Sequence, residues 1–156
     1  VILNAGTSKG GEDFCYQYLK ENGNMLFHGV AAVPGRPMSI TIVGGKPVIN
    51  MSGPSVAAMY GCRWLMSEII DKMVCSTERK PFLTEAVLTE DLGVPPMFSM
   101  FSGLDISIGD DGQVLATPVA RNRGMSAGLL ADAHYISTLG EKTHKAGDKI
   151  SVTIEH

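Results

Sequence analysis

The sequence predicts an α/β segment followed by a small all-β domain. Two observations carry this reading. Apolar residues recur at helical spacing up to about Val74 and then alternate residue by residue after Pro81. Between the two regimes lies Ser76-Thr77-Glu78-Arg79-Lys80-Pro81, polar and ended by proline, which marks a domain boundary. Residues 1–78 are assigned to the α/β part and 79–156 to the all-β part.

In the first part, Val1-Ile2-Leu3 reads as a strand. It runs into Asn4-Ala5-Gly6-Thr7-Ser8-Lys9-Gly10-Gly11-Glu12-Asp13, a glycine- and hydroxyl-rich loop whose backbone can approach a ligand closely. A helix is predicted from about Asp13 to Asn22, with Phe14, Tyr18 and Leu19 on one side and Gly23 as its C-cap. Met25 to Val33 reads as a buried strand, broken by Pro34-Gly35-Arg36-Pro37. Met38–Val43 and Pro47–Met51 are two further strands, joined by Gly44-Gly45, both of which can take positive φ in a hairpin turn. Ser52-Gly53-Pro54-Ser55 opens the longest helix, with Gly53 at the N-cap and Pro54 in the first helical position. Its stripe of Met59, Cys62, Met66, Ile69 and Met73, widened by Tyr60 and Trp64, predicts heavy burial.

In the second part, Leu104, Ile106 and Ile108 alternate with polar residues, and Asp110-Asp111-Gly112 turns the chain. Val114–Ala120 is a strand placed at an edge because of Pro118. Met125–Ala133 alone looks helical. After the turn at Ala146-Gly147-Asp148, Ile150, Val152 and Ile154 alternate to the end. Short strands with frequent turns predict a small barrel or sandwich.

Composition narrows the function. The 156 residues are 44% hydrophobic, enough for a packed core, and carry 13 Lys+Arg against 16 Asp+Glu. Net −3 argues against a general nucleic-acid surface, although backbone amides can still bind a small anion. Cys15, Cys62 and Cys75 form no C-x-x-C pair, and His28, His134, His144 and His156 show no ligand spacing, so neither a disulfide framework nor a zinc site is expected. Reduced thiols suit a cytoplasmic protein. No apolar run reaches the ~18 residues of a membrane span, and no signal peptide is visible. The opening on Val1, with no initiator Met, suggests part of a longer protein.

Two features can bind an anion. Around the first loop, the amides of Gly10 and Gly11 and the hydroxyls of Thr7 and Ser8 can cradle a phosphate, or the segment is a tight turn with capping residues. At Ser52-Gly53-Pro54-Ser55 the helix start offers unpaired N–H groups, with a plain cap as the simpler reading. Asp13 can hold Mg²⁺, orient a substrate or cap its helix. No nucleophile triad is assembled by any of the serines.

These segments, in order, resemble the MoeA-type molybdopterin molybdenumtransferases. Gly6 to Asp13 is similar to that family's S-G-G-x-S-x-G-x-x-D loop. His28-Gly29-Val30-Ala31 with Pro34-Gly35-Arg36-Pro37 resembles H-G-V-A-x-x-P-G-K-P. Gly45-Lys46-Pro47-Val48-Ile49 and Ser52 to Ala58 resemble G-K-P-V-x-G-L-P-G-N-P-V-S-A. Pro118-Val119-Ala120-Arg121, Ala131 to Ile136 and Ala146 to Val152 resemble its last domain. The resemblance implies the latter half of a MogA-like, three-layer molybdopterin-binding domain, then a C-terminal β-barrel. It implies insertion of molybdate into adenylylated molybdopterin with Mg²⁺, by a homodimer. By the same resemblance Gly6, Ser8, Gly10, Gly11 and Asp13 line the ligand loop, Asp13 as the catalytic and metal-binding acid. Pro34, Gly35, Arg36 and Pro37, with Ser52, Gly53 and Ser55, form the facing wall. Gly29 and Val33 stand where the family's better-known catalysts carry lysine, and Ser52-Gly53-Pro54-Ser55 departs from Pro-Gly-Asn-Pro. The chain by itself is therefore expected to be inactive. Two rival readings are a non-catalytic molybdopterin-binding or sensing module and a structural or assembly fragment.

Overall fold

The structure, a computed structural model, describes residues 1–7, 13–76, 81–119 and 130–154. The chain divides into two compact units, Val1–Glu78 and Arg79–His156.

The first unit is built on a four-stranded sheet ordered β1 (Ile2–Asn4), β5 (Lys46–Met51), β4 (Ser39–Val43), β2 (Asn24–His28). β1 runs parallel to β5, whereas β4 is antiparallel to both of its neighbours. β4 and β5 form the expected hairpin: Val43 pairs with Lys46, and Gly44 and Gly45 carry φ of 55° and 75°. Two successive left-handed residues match the twist of the flanking strands, and glycine takes that conformation without a Cβ clash. The long apolar segment from Met25 divides into β2 and the two-residue β3 (Ala32–Val33). β2 carries a register shift between Met25 and Phe27 and leaves Leu26 exposed, so the predicted continuous buried strand is replaced by a short edge strand.

Alternation assigns the two faces of this sheet. Ile40, Ile49 and Met51 project to one face, where Phe27, Cys62, Leu65, Met66 and Ile69 pack on them. The helical segment covering that face starts at Ser55, with Pro54 rather than Gly53 at the N-cap. It is not one α-helix. α2 (Ser55–Gly61) passes into a π-helical turn (Cys62–Met66) and then α3 (Ser67–Met73). A π turn adds a residue to the repeat, so a stripe counted at 3.6 residues per turn loses phase beyond it. Val56, Ala57, Tyr60 and Gly61 are buried, but α3 buries none of its residues and Met73 is 70% exposed. The predicted heavy burial holds only for the first half.

α1 (Phe14–Asn22) buries Leu19, while Phe14 and Tyr18 are 76% and 60% exposed, so the three do not share a buried face. Gly23 ends α1 in an extended conformation, φ −142° and ψ 169°, not the left-handed cap expected of glycine. Space explains the residue there: a Cβ at Gly23 would lie 2.5 Å from Thr41 Cγ2 and 3.0 Å from Ile42 O.

The second unit is a closed barrel of five strands: β6 (Phe82–Leu88), β7 (Ser99–Ile108), β8 (Val114–Pro118), β9 (Ala133–Ile136) and β10 (Lys149–Ile154). β8 lies between β7 and β6, β10 joins β6 to β9, and β9 pairs back to β7. Closure removes sheet edges, so β8 is an inner strand. Pro118 is its last residue, opposite Leu104, and the edge assignment is corrected. Leu104, Ala116, Ala133, Ile150 and Val152 fill the interior. Ile108, expected to continue the alternation, is exposed where β7 runs past the core. Turns form at Gly112 and Gly147, with φ of 80° and 91°. Most of the helix predicted over 125–133 lies outside the described residues, and Ala133 already belongs to β9.

Candidate functional site

The site begins where the parallel strands β1 and β5 end. Such carboxyl ends open a crevice, because the chain must leave the sheet there in different directions. Ala5 N–H still donates to Met51 O at 3.0 Å, which holds the two exits together. A Cβ on Gly53 would sit 3.4 Å from the Ala5 Cβ, so the loop after β5 lies against the loop after β1. Ala5 and Gly6 both adopt positive φ, 74° and 66°, which folds the loop back toward α1. Tyr16 N–H, in the first turn of α1, donates to Gly6 O at 3.1 Å. A Cβ at Gly6 would meet Cys15 Sγ at 2.9 Å, so glycine is required there by φ and by space.

The turn after β3 reaches the same end of the sheet. The Val33–Pro34 peptide is cis. Gly29 N–H donates to Met38 O at 2.7 Å and Val30 N–H to Arg36 O at 2.8 Å, closing a tight loop, and Met38 N–H donates to Gly35 O at 3.1 Å. Gly35 is buried with φ +119°, and a Cβ there would approach Met38 Cε at 2.8 Å and Ala57 O in α2 at 4.0 Å. Gly35 thus lies near α2 at Ala57, with Arg36 exposed.

Of the residues predicted for the site, Gly6, Asp13, Pro34, Gly35, Arg36, Pro37, Ser52, Gly53 and Ser55 are described, whereas Ser8, Gly10 and Gly11 lie outside the described residues. Gly53 and Ser55 are exposed. Ser52 is buried, and its hydroxyl has no partner among the described residues. Asp13 is half-buried at the N-terminus of α1 and makes no side-chain capping bond. Thr7, whose hydroxyl was offered as a phosphate ligand, is only 4% exposed. No group of three or more His, Cys, Asp or Glu that could hold a metal occurs among the described residues. No helix among them is long and apolar enough to cross a membrane.

Sequence reasoning missed two residues here. His28 Nε2 lies 2.7 Å from Thr7 O, and Asn50 Nδ2 donates to Gly6 O at 3.4 Å. Neither residue is near the loop in sequence; strand register delivers both.

The exits from the parallel strands β1 and β5 lie close together just before α2, with a Pro-Gly turn near that helix, in a mixed α/β unit. A closed five-stranded barrel follows it in the chain. Solved proteins share this architecture. The crystal structure of a molybdopterin biosynthesis MoeA protein from Pyrococcus horikoshii matches 99% of this chain and 36% of its own, with TM-score 0.77 and 22% identity. A molybdenum cofactor biosynthesis protein from Pyrococcus furiosus matches 85% of this chain and 45% of its own, with TM-score 0.66 and 23% identity. In sequence, the molybdopterin molybdenumtransferase of Bacillus subtilis is 28% identical over 99% of this chain and 36% of its own length. That of Staphylococcus aureus strain COL is 25% identical over 99% and 37%. No protein-family model matches. The chain is thus similar along nearly its whole length to molybdopterin molybdenumtransferases, and it spans little more than a third of the length of the relatives it matches.

Proposed function

We propose that this chain is the part of a molybdenum-cofactor biosynthesis protein that binds molybdopterin. The observation that carries the reading is the approach of the exits from β1 and β5: Ala5 N–H donates to Met51 O, and a Cβ on Gly53, just before α2, would lie 3.4 Å from the Ala5 Cβ. The substrate is adenylylated molybdopterin, an anion suited to backbone amides and a helix start. The ligand loop supplies Gly6, Ser8, Gly10, Gly11 and Asp13. The facing side supplies Pro34 to Pro37 with Ser52, Gly53 and Ser55; buried Ser52 shapes this wall from within.

In the intact protein the reaction is insertion of molybdate, the cargo, into this pterin. The donor set fits Mg²⁺ in one way only. Among the described residues Asp13 is the one carboxylate of the predicted site, which suits a Mg²⁺ that takes its remaining ligands from substrate phosphates and water rather than an ion caged by protein. Bound there, Mg²⁺ would neutralise phosphate charge. Pro34 and Pro37 restrict the turn that presents Arg36, which lowers the entropy lost on binding. The family also implies a homodimer and a cytoplasmic setting.

A second reading, a binding or sensing module without catalysis, is favoured by Gly29 and Val33 at the family's lysine positions. The two readings share the binding step, so calorimetric titration of the chain with anaerobically prepared molybdopterin tests that first. Saturable heat is expected, and its absence at millimolar ligand overturns both. Molybdate-dependent product from the whole protein then separates catalysis from sensing.

A further inference from the structure

The α1-facing side of the sheet carries an uncommon row of polar side chains. His28 on β2 is paired with Ser39 on β4, and Ser39 is paired with Asn50 on β5, so the three lie side by side across neighbouring strands. Ser39 and Asn50 are fully buried, in a layer that apolar residues usually fill. The row leads to the ligand loop. His28 Nε2 meets Thr7 O at 2.7 Å, Asn50 Nδ2 donates to Gly6 O at 3.4 Å, and the His28 ring lies on Tyr16 of α1 with centroids 4.4 Å apart. A carbonyl oxygen only accepts, so His28 must carry its proton on Nε2. Two consecutive carbonyls of the loop are thereby held inward by donors that belong to the rigid sheet.

We propose that His28 and Asn50 are positioning residues, which fix the Gly6 and Thr7 carbonyls toward the sheet and so set the direction in which the loop leaves β1 for its anionic ligand. The ligand part of this inference rests on the function proposed above; the clamp itself does not. Neither side chain is required to touch the ligand. The register explains why the donors come from β2 and β5. These strands flank β4, and the hydroxyl of Ser39, the residue between the donors, has no partner among the described residues.

Three variants test this: His28→Phe keeps a ring against Tyr16 and removes the donor, His28→Gln restores an N–H near the Nε2 position, and Asn50→Leu removes the neighbouring donor at similar volume. Amide hydrogen exchange is followed at Ala5 and Tyr16, whose N–H groups bond to Met51 O and Gly6 O, against the amides of β4 and β5. His28→Phe should raise exchange at Tyr16 roughly tenfold, as expected for loss of one partly buried hydrogen bond, with the sheet unchanged and His28→Gln near wild type. Asn50→Leu should act at the same amides, less strongly because its bond is longer. Molybdopterin affinity should fall and recover in the same order. Exchange that is unmoved by His28→Phe, unrescued by His28→Gln, or raised equally throughout the sheet overturns the clamp. If wild type takes up no molybdopterin while the exchange pattern holds, the clamp stands and the ligand assignment falls.

Discussion

The phenol of Tyr135, on β9, donates a hydrogen bond to the carboxylate of Glu141 in the loop that leads to β10. The same carboxylate accepts from Thr138 N at 2.6 Å and Thr138 Oγ1 at 3.0 Å, and His144 Nε2 lies 2.6 Å away. Glu141 therefore gathers the β9–β10 connection onto the barrel wall. Burial alone would raise its pKa, but the bonds from Tyr135, Thr138 and His144 together outweigh that and hold it at about 2, against an ordinary 4.5. Burial first, and then the bond to Glu141, push the Tyr135 phenol up, so it remains a donor.

Because the folded state lowers this pKa, the carboxylate stabilises the barrel fully above about 4.5, and the contribution is lost as pH falls toward about 2. Urea titrations at pH 7, 4.5 and 2.5 should show stability falling across the acid interval in wild type. Glu141→Gln should be less stable at pH 7 and should lose less over the same interval. Parallel curves for the two proteins would remove the linkage from Glu141.

Gly23 supplies the second prediction. Its φ of −142° is open to any residue, so conformational preference says that alanine should be tolerated or better. Packing says the reverse, since a Cβ would lie 2.5 Å from Thr41 Cγ2, 2.8 Å from Val43 Cγ2 and 3.0 Å from Ile42 O. One obstacle is backbone within β4, and the sheet cannot give way freely. Gly23→Ala should destabilise the chain by about 1–3 kcal/mol, the usual cost of overpacking. Chemical denaturation giving equal or higher stability would refute it.

Ala5 and Gly6 make opposite predictions from neighbouring positions. Ala5 holds φ +74° with a Cβ, a conformation that costs a non-glycine residue roughly 1–2 kcal/mol. Ala5→Gly should relieve this, and after the added freedom of the unfolded chain should gain up to about 1 kcal/mol. Gly6→Ala meets both a left-handed φ and Cys15 Sγ at 2.9 Å, and should lose at least about 1 kcal/mol. Thermal melts of the two variants should move in opposite directions; movement in the same direction would show that the loop does not hold this backbone.

These contrasts indicate what the sequence discloses. Gly44-Gly45 was legible because a two-residue hairpin depends on local φ alone. The break between β1 and α1 was legible from a run of glycines and hydroxyls between a strand and a helix. Gly23 was legible as a helix end but not for its cause, because Thr41 and Val43 reach it only through the fold. Closure of the barrel depends on β9 meeting β7, a pairing between residues about thirty apart, and nothing local to Pro118 distinguishes an edge strand from the end of an inner one. The π turn at Cys62–Met66 escaped because the methionine stripe is compatible with an uninterrupted helix. His28 and Asn50 escaped because only the register of three strands carries them to the loop.

Arg36 gives the last prediction. An anionic pterin needs positive charge as well as amides, and Gly29 and Val33 supply none where the family's lysines stand. Arg36 is exposed, between Pro34 and Pro37, and its own carbonyl accepts from Val30 N–H at 2.8 Å. The backbone that carries it is therefore fixed. A guanidinium can hold a phosphate through two parallel N–H bonds, which an ammonium cannot do. Arg36→Ala should therefore weaken molybdopterin binding by about 1.5–3 kcal/mol, the worth of a hydrogen bond to a charged group. Arg36→Lys should recover only part of that. The comparison belongs at low salt, where screening is weakest. Equal affinity of Arg36→Ala and wild type under those conditions would exclude Arg36 from the site and leave the phosphate to backbone amides alone.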